Sequence, residues 1–279
     1  MPSTRALVQR HGIAMATATK ILTMLRQEGL IDSVPGVGTV VTGPAQPRVA
    51  ARAAPARRRS AADGTLTPER IVTAGIVVAD TEGLAGLSMR RVATELGVAP
   101  MSLYRHVSDK DDLLLRMIDE AIGELPLPEP PSGWREAVEM AAHALWAAFR
   151  RHPWLAPALS LTRPQVVPNA LAYTERVLAA LSQLGLDPIG KFTVHLTLFT
   201  FVRGTAMNLE QEAEAAAASG QSSDEWMAQT EPDLLALVAT GSFPEFEQAL
   251  GSGFDFDLDA LFEFGLQRLL DGVQALGAP

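Results

Sequence analysis

Between Leu66 and Leu125 apolar residues recur at three- and four-residue spacing in short blocks, each introduced by a small polar residue or a proline. The spacing predicts a first helix capped by Thr67 and started by Pro68, with Ile71, Ala74, Gly75 and Val78 on one face. Gly83 and Gly86 mark the turn that follows. Ser88 then caps a second helix whose Met89, Val92, Ala93 and Leu96 form one stripe, and Gly97 closes it. Pro100 opens a very short helix running through His106, and Ser108 pairs with Asp111 as the N-cap of the long run "DLLLRMIDEAIGEL". Two short helices joined through Gly97 make a helix-turn-helix, a unit whose second helix can enter the major groove of DNA.

The order of side chains along that second helix suits groove entry. Pro100 starts it without wasting a backbone donor, Met101 and Ser102 near its N-terminus can reach base edges, and Tyr104, His106 and Lys110 can donate to phosphates. Val98, Leu103 and Val107 fall on the opposite side and belong to a three-helix core.

Past the proline-rich break "LPLPEPPSG" the pattern remains helical. "WREAVEMAAHALWAAFRRHPWLAPAL" is amphipathic, with Val138, Leu145 and Phe149 on its apolar side and Pro153 as its stop. "PIGKFTVHLTLFTFVRGTAMNLEQE" is apolar on nearly every face, which predicts a helix buried on two sides. The last helix carries Leu258, Leu261, Phe262, Leu266, Leu269 and Val273 as its stripe, with Phe264 outside it. So much apolar surface on two helices predicts a partner subunit, with Phe262 and Leu266 at the contact. At the other end, "STRALVQRHGIAMATATKILTMLRQEGLI" places Leu7, Ile13, Ile21, Leu22 and Leu25 around a Gly12 turn, and "PGVGTVV" reads as a tight hairpin.

Charge sharpens this division. The net charge is -9, yet residues 1–63 hold 9 basic and 3 acidic residues, while residues 126–279 hold 8 and 19. A basic head therefore precedes an acidic body. The stretch 43–64, rich in Ala and Pro and carrying five arginines, has no apolar periodicity and reads as a linker able to ride on phosphates. The chain has no cysteine, which removes disulfides, thiolate metal sites and a cysteine nucleophile together. No stretch resembles an export signal or a membrane span, and a cytoplasmic location is expected. GxSxG, HExxH and a P-loop lysine are all missing, so the expectation is a non-enzyme without cofactor. Asp255, Asp257 and Asp259 imitate a calcium loop only until Ala260 and Leu266 occupy its sixth and twelfth positions, and they suit a helix N-terminus instead.

The segment "LSMRRVATELGVAPMSLYRHVSDKDDLL" resembles the DNA-binding domain of TetR-family transcriptional regulators over Leu66 to Leu125. That resemblance implies a homodimer on a palindromic double-stranded DNA operator and an all-helical C-terminal domain that takes a small-molecule effector. It places Arg90, Ser102, Tyr104, His106 and Lys110 as DNA contacts, Met101 as a variable recognition position, and the last two long helices in a dimer four-helix bundle. Around Leu159 to Gln165 the chain resembles the tetracycline repressors, with Thr162, Arg163 and Pro164 matching and Glu210 in the place of a metal-linked acid. Leu159 stands where those repressors have a metal-binding histidine, so no metal is implied. His143, Trp146, His195 and Phe199 are further candidates to line the effector pocket.

The N-terminal segment resembles the winged helix of GntR-family regulators through Ser3, Arg5, Gly12, Thr17, Gly36, Gly38 and Thr39, and these residues could contribute a second DNA contact. It departs from that family in lacking its opening helix, in Ala14 where a capping serine is usual, and in Met15 and Val37 at basic contact positions. The expected organisation is thus a partial winged helix over 1–42, a basic linker over 43–64, a helix-turn-helix domain over 65–125 and a helical ligand-binding and dimerisation domain over 126–279. The fold class is all-α, and the expected function is a ligand-responsive repressor; the alternative is a helical carrier or enzyme that has lost DNA binding.

Overall fold

Thr67 does what its position predicts. In the computed structural model its Oγ1 accepts from the backbone N–H of Arg70 at 3.3 Å, and helix α1 (Pro68–Gly86) runs on from the proline. The structure describes residues 31–34, 38–41, 66–126, 129, 132–252 and 256–277. By packing, the chain falls into two units, residues 64–214 with 255–279 and residues 1–63 with 215–254.

In the larger unit, α1 is followed by α2 (Met89–Leu96), α3 (Pro100–Leu103) and α4 (Lys110–Gly123). Ser88 caps α2 by accepting from Arg91 N, and Gly97 ends it with φ 67°, a left-handed conformation that a Cβ would disfavour. Gly75 lets α1 lie against α4: a Cβ there would come within 2.8 Å of the Met117 sulfur. Ile71, Val78, Val92, Leu103, Val107, Leu113 and Met117 fill the space between these helices. The cap of α4 differs from the expected pair. Asp109, one residue later than Ser108, is the N-cap, and its Oδ1 accepts from Asp112 N at 2.8 Å. Asp112 in turn accepts from Ser108 N at 2.8 Å, so Ser108 contributes its backbone rather than its hydroxyl.

Helices α5 (Trp134–Arg151), α6 (Leu155–Ala158), α7 (Pro168–Leu181), the long α8 (Pro188–Ser219) and α11 (Leu258–Leu276) build the remainder. Their core is continuous with that of α1 to α4 and centres on Phe149, Trp154, Leu155, Leu181, Leu198, Val202, Phe262 and Leu266. Two expectations need correction here. Leu261 is 44% exposed and Leu270 is buried instead, because the seated stripe runs Phe262, Leu266, Leu270, Val273, and Leu261 lies about 100° around the helix from Phe262. Phe262 and Leu266 are only 2% and 0% exposed, so they belong to the protomer's own core rather than to a contact with a second chain. Helix α8 likewise buries one side, through Val194, His195, Leu198, Val202, Thr205 and Ala206, while Ile189, Phe192, Thr193, Thr197 and Thr200 stay exposed.

Polar ties join the first helices to the body. Asp80 of α1 accepts from His152 Nδ1 at 2.8 Å and from Trp154 Nε1 at 2.7 Å; His152 and Trp154 are both buried. Asp119 of α4 accepts from Asn169 N at the start of α7. At Gly83 the helix α1 kinks (φ 68°), and Glu210 of α8 takes up the N–H of Leu84 at 3.2 Å. Burial raises the Glu210 carboxyl above its ordinary value.

In the smaller unit, strands β1 (Ile31–Val34) and β2 (Gly38–Val41) pair antiparallel, with Ile31 opposite Val41 and Val34 opposite Gly38. Of the stretch "PGVGTVV", where a hairpin is expected, Gly38 to Val41 form β2, and its partner strand lies just before it. The unit also holds α9 (Ser223–Val238) and α10 (Pro244–Gly251), which the sequence reading passed over. The signal for α9 was present: Ser222 and Glu225 form a reciprocal capping box. Of the proposed second DNA contacts, Gly38 and Thr39 lie on β2, whereas Ser3, Arg5, Thr17 and Gly36 are outside the described residues, as are the linker 43–64 and the set Leu7, Ile13, Ile21, Leu22 and Leu25. Among the described residues no helix is long and apolar enough to cross a membrane.

Candidate nucleic-acid interface and ligand cavity

The turn through Gly97 sets α3 on the surface by one short side. Leu103 and Val107 anchor it in the core, and Pro100 occupies its first turn. With those two residues inward, Met101 and Tyr104 must point outward, and they are 74% and 45% exposed. Met101 is the more open of the two and stands near the start of the second helix, the part of a helix-turn-helix that meets base edges. Ser102 and His106 are half-buried on the same short segment. Arg90 on α2 is exposed, and its guanidinium makes no ion pair among the described residues. Its neighbour Arg91 is held instead by Glu82 and Glu95 at 2.7 and 2.9 Å. Lys110 begins α4, exposed, with Nζ 3.4 Å from the Leu84 carbonyl. The predicted set Arg90, Pro100, Met101, Ser102, Tyr104, His106 and Lys110 therefore belongs to α2, α3, the turn after α3 and the first residue of α4; the helix expected to run through His106 ends at Leu103, with Tyr104 as its C-cap and His106 in the turn that follows. Arg105, exposed beside Tyr104, is a further cation that the sequence reading did not single out.

The seven candidate pocket residues separate. Only His195 and Phe199 meet, around a cavity also lined by Val138, Ala142, Tyr173, Val177, Leu198 and Val202. Its free volume is about 10 Å3, room for one water molecule. The Tyr173 hydroxyl donates to the Ala141 carbonyl at 3.2 Å, and His195 Nε2 lies 3.2 Å from the Thr174 hydroxyl. Burial lowers the His195 imidazole to about 4 and pushes the Tyr173 phenol up, so both are uncharged near neutral pH.

The other five point elsewhere, each for a local reason. His143 is exposed between the Glu139 carbonyl and Glu263, where Nε2 sits 2.9 Å from the carboxylate. Trp146 stacks on Phe262 at 4.7 Å and donates to Asp259, an anchoring role in the α5–α11 contact. Thr162 and Arg163 are exposed in the loop before α7. Glu210 faces Leu84, where it ties α8 to the kink in α1. Tyr173 was missed although it is one of two tyrosines in the chain and lies among the apolar positions of α7.

The helix-turn-helix and the helical body each match known proteins. Residues 71–117 match the model of bacterial regulatory proteins of the tetR family, and residues 127–276 match the tetracyclin repressor-like C-terminal domain. The HTH-type transcriptional repressor DrrR1 of Streptomyces coeruleorubidus is 40% identical over 217 residues, 77% of this chain and 79% of that one. Apo ActR from Streptomyces coelicolor superposes with a TM-score of 0.63 at 34% identity, over 77% of this chain and 98% of that one. The same ActR in complex with actinorhodin gives a TM-score of 0.64 at 34% identity, over 77% and 100%. With its helix-turn-helix and its helical body both matched, the chain belongs to the TetR family of transcriptional regulators.

Proposed function

We propose that the protein is a homodimeric repressor that holds a palindromic operator through α3 and releases it when a small molecule enters the cavity around His195. The observation that carries this reading is the outward placement of Met101 on α3 and of Tyr104 at its C-cap, on a segment anchored in the core by Leu103 and Val107. Met101 and Ser102 meet base edges. Arg90, Tyr104, His106 and Lys110 contact phosphates, which fix register without reading sequence.

Release follows from shared elements. Helix α8 carries His195 and Phe199 at the cavity and, about 16 Å along its axis from Phe199 and about 22 Å from His195, Glu210 at the Leu84 N–H. Leu84 also faces Lys110 through its carbonyl. A guest that pushes α8 away from α7 pulls on the α1 kink and, through Asp80, His152 and Trp154, on the angle of the whole reading domain. Two reading domains on a palindrome must keep a fixed spacing, so a small rotation of each weakens binding.

Dimerisation is assigned to the open side of α8, where Thr193, Leu196, Thr197, Thr200 and Phe201 line a surface groove of about 460 Å3, together with exposed Phe264 of α11. The location is the cytoplasm, where the DNA is. The test is a shift assay on operators selected from random duplexes, repeated with Met101→Lys. A changed base preference supports groove entry by α3, and an unchanged one contradicts it.

A further inference from the structure

The cavity reports what kind of molecule it can take. None of its eight lining residues carries a charge. An ionised guest would exchange water for a site with no counter-ion, and His195 is held neutral by the same burial. The polar side chains among the lining residues are two, Tyr173 and His195. The Tyr173 oxygen has lone pairs beyond its bond to Ala141, Thr174 shares its hydroxyl with His195 Nε2, and His195 Nδ1 has no partner among the described residues. Around His195 stand three aromatic rings, Tyr173 and Phe192 with centroids at 6.2 Å and Phe199 at 6.5 Å. Such rings welcome another aromatic edge or face. Phe192 is half exposed on α8.

The small free volume adds a shape requirement. Any effector must part α7 from α8, and α8 is pinned further along by Arg203 Nε on the Ala156 carbonyl and by Glu210 on Leu84. A slab one ring thick asks for the least separation; a saturated ring system of the same outline asks for more.

We propose that the cavity binds a flat, uncharged aromatic molecule bearing a hydroxyl or carbonyl at one edge, held there by Tyr173 and His195. This deepens the reading of the cavity as the effector site and rests on it. The experiment is calorimetry on the full chain near neutral pH with three probes of similar outline: 5-hydroxy-1,4-naphthoquinone, 1-naphthoate and decahydro-2-naphthol. The absence of cysteine leaves the quinone no thiol to add to. The hydroxyquinone should bind at least about tenfold more tightly than either of the others, the size of one buried hydrogen-bonding or charge mismatch. His195→Leu should weaken it about tenfold while leaving plain naphthalene within about threefold, and Ala142→Leu, which fills the space, should weaken both. Equal or tighter binding of the naphthoate or the saturated alcohol overturns the assignment, as does failure of the hydroxyquinone to bind or its indifference to both substitutions. Operator binding is measured separately. Tight hydroxyquinone binding that leaves the operator complex intact upholds the ligand class and removes the effector reading.

Discussion

The helices around Met101 and the helices around Phe264 both expose large apolar side chains, but on different terms. In α1 to α4 the inward stripes are covered within the chain, and Met101 on α3 and Tyr104 just after it stand out singly. In α8 and α11 the exposed residues, Ile189, Phe192, Leu261, Phe264 and Leu276 among them, recur along two long helices beside the groove at Leu196. Singly exposed apolar side chains are ordinary on a surface, and it is the place of Met101 near the start of the second helix of a helix-turn-helix that suits contact with a groove of DNA; repeated ones along a helix suit burial against another helix. The same kind of residue thus supports the proposed reader in one region and the proposed subunit contact in the other.

The most severe way to probe that contrast is to charge the finished core. Phe262→Asp buries an unpaired carboxylate and should remove several kcal/mol, comparable to the whole stability of a domain, so the cooperative thermal melt should vanish. A folded monomer from this variant would return Phe262 to the interface. Leu196→Glu on the groove should instead preserve the melt to within about 1 kcal/mol, yield monomers in sedimentation and lower operator affinity by about a hundredfold or more.

Acid separates the two regions more gently. His195 in the folded protein takes a proton only at about pH 4, whereas the unfolded chain takes one near the ordinary value of 6.5. Protons therefore favour unfolding below 6.5. The stability associated with His195 is intact above that pH and falls by up to about 1.4 kcal/mol per pH unit toward pH 4. Denaturant titrations of His195→Gln should show a shallower acid slope; an equal slope would show that His195 does not govern it. The mildest test is Tyr104→Phe, expected to weaken all duplexes by a similar factor of less than about tenfold with the melt unchanged. A changed sequence preference would make Tyr104 a reader of bases.

The reading region was legible because its signals are local. Thr67, Ser88 and Gly97 each fix a backbone feature within four residues, and the sequence shows all of them. Even the displaced cap of α4 erred by one residue, since Ser108 and Asp109 are both good caps and only geometry chooses between them. The cavity was less legible because it depends on which helices meet. His195 and Phe199 share a face of α8, but nothing in the local pattern announces that Tyr173 lies across from them, or that Trp146 is occupied by Phe262 and Asp259. The wide apolar surface of α8 was visible too; how much of it this chain covers was not, because that is a property of packing.

On the proposed function α3 reads DNA as one of a symmetric pair and the body controls it. Selection of bound duplexes from a random pool by the full-length protein, compared with a form lacking residues 1–63, tests it most directly. Both proteins should enrich the same palindrome, with half-sites about one helical turn or a small multiple of it apart, and the shorter form should bind more weakly at low salt through loss of 9 basic residues, a difference that fades as salt rises. Enrichment of no palindrome by either protein, or its disappearance with residues 1–63, would contradict the account.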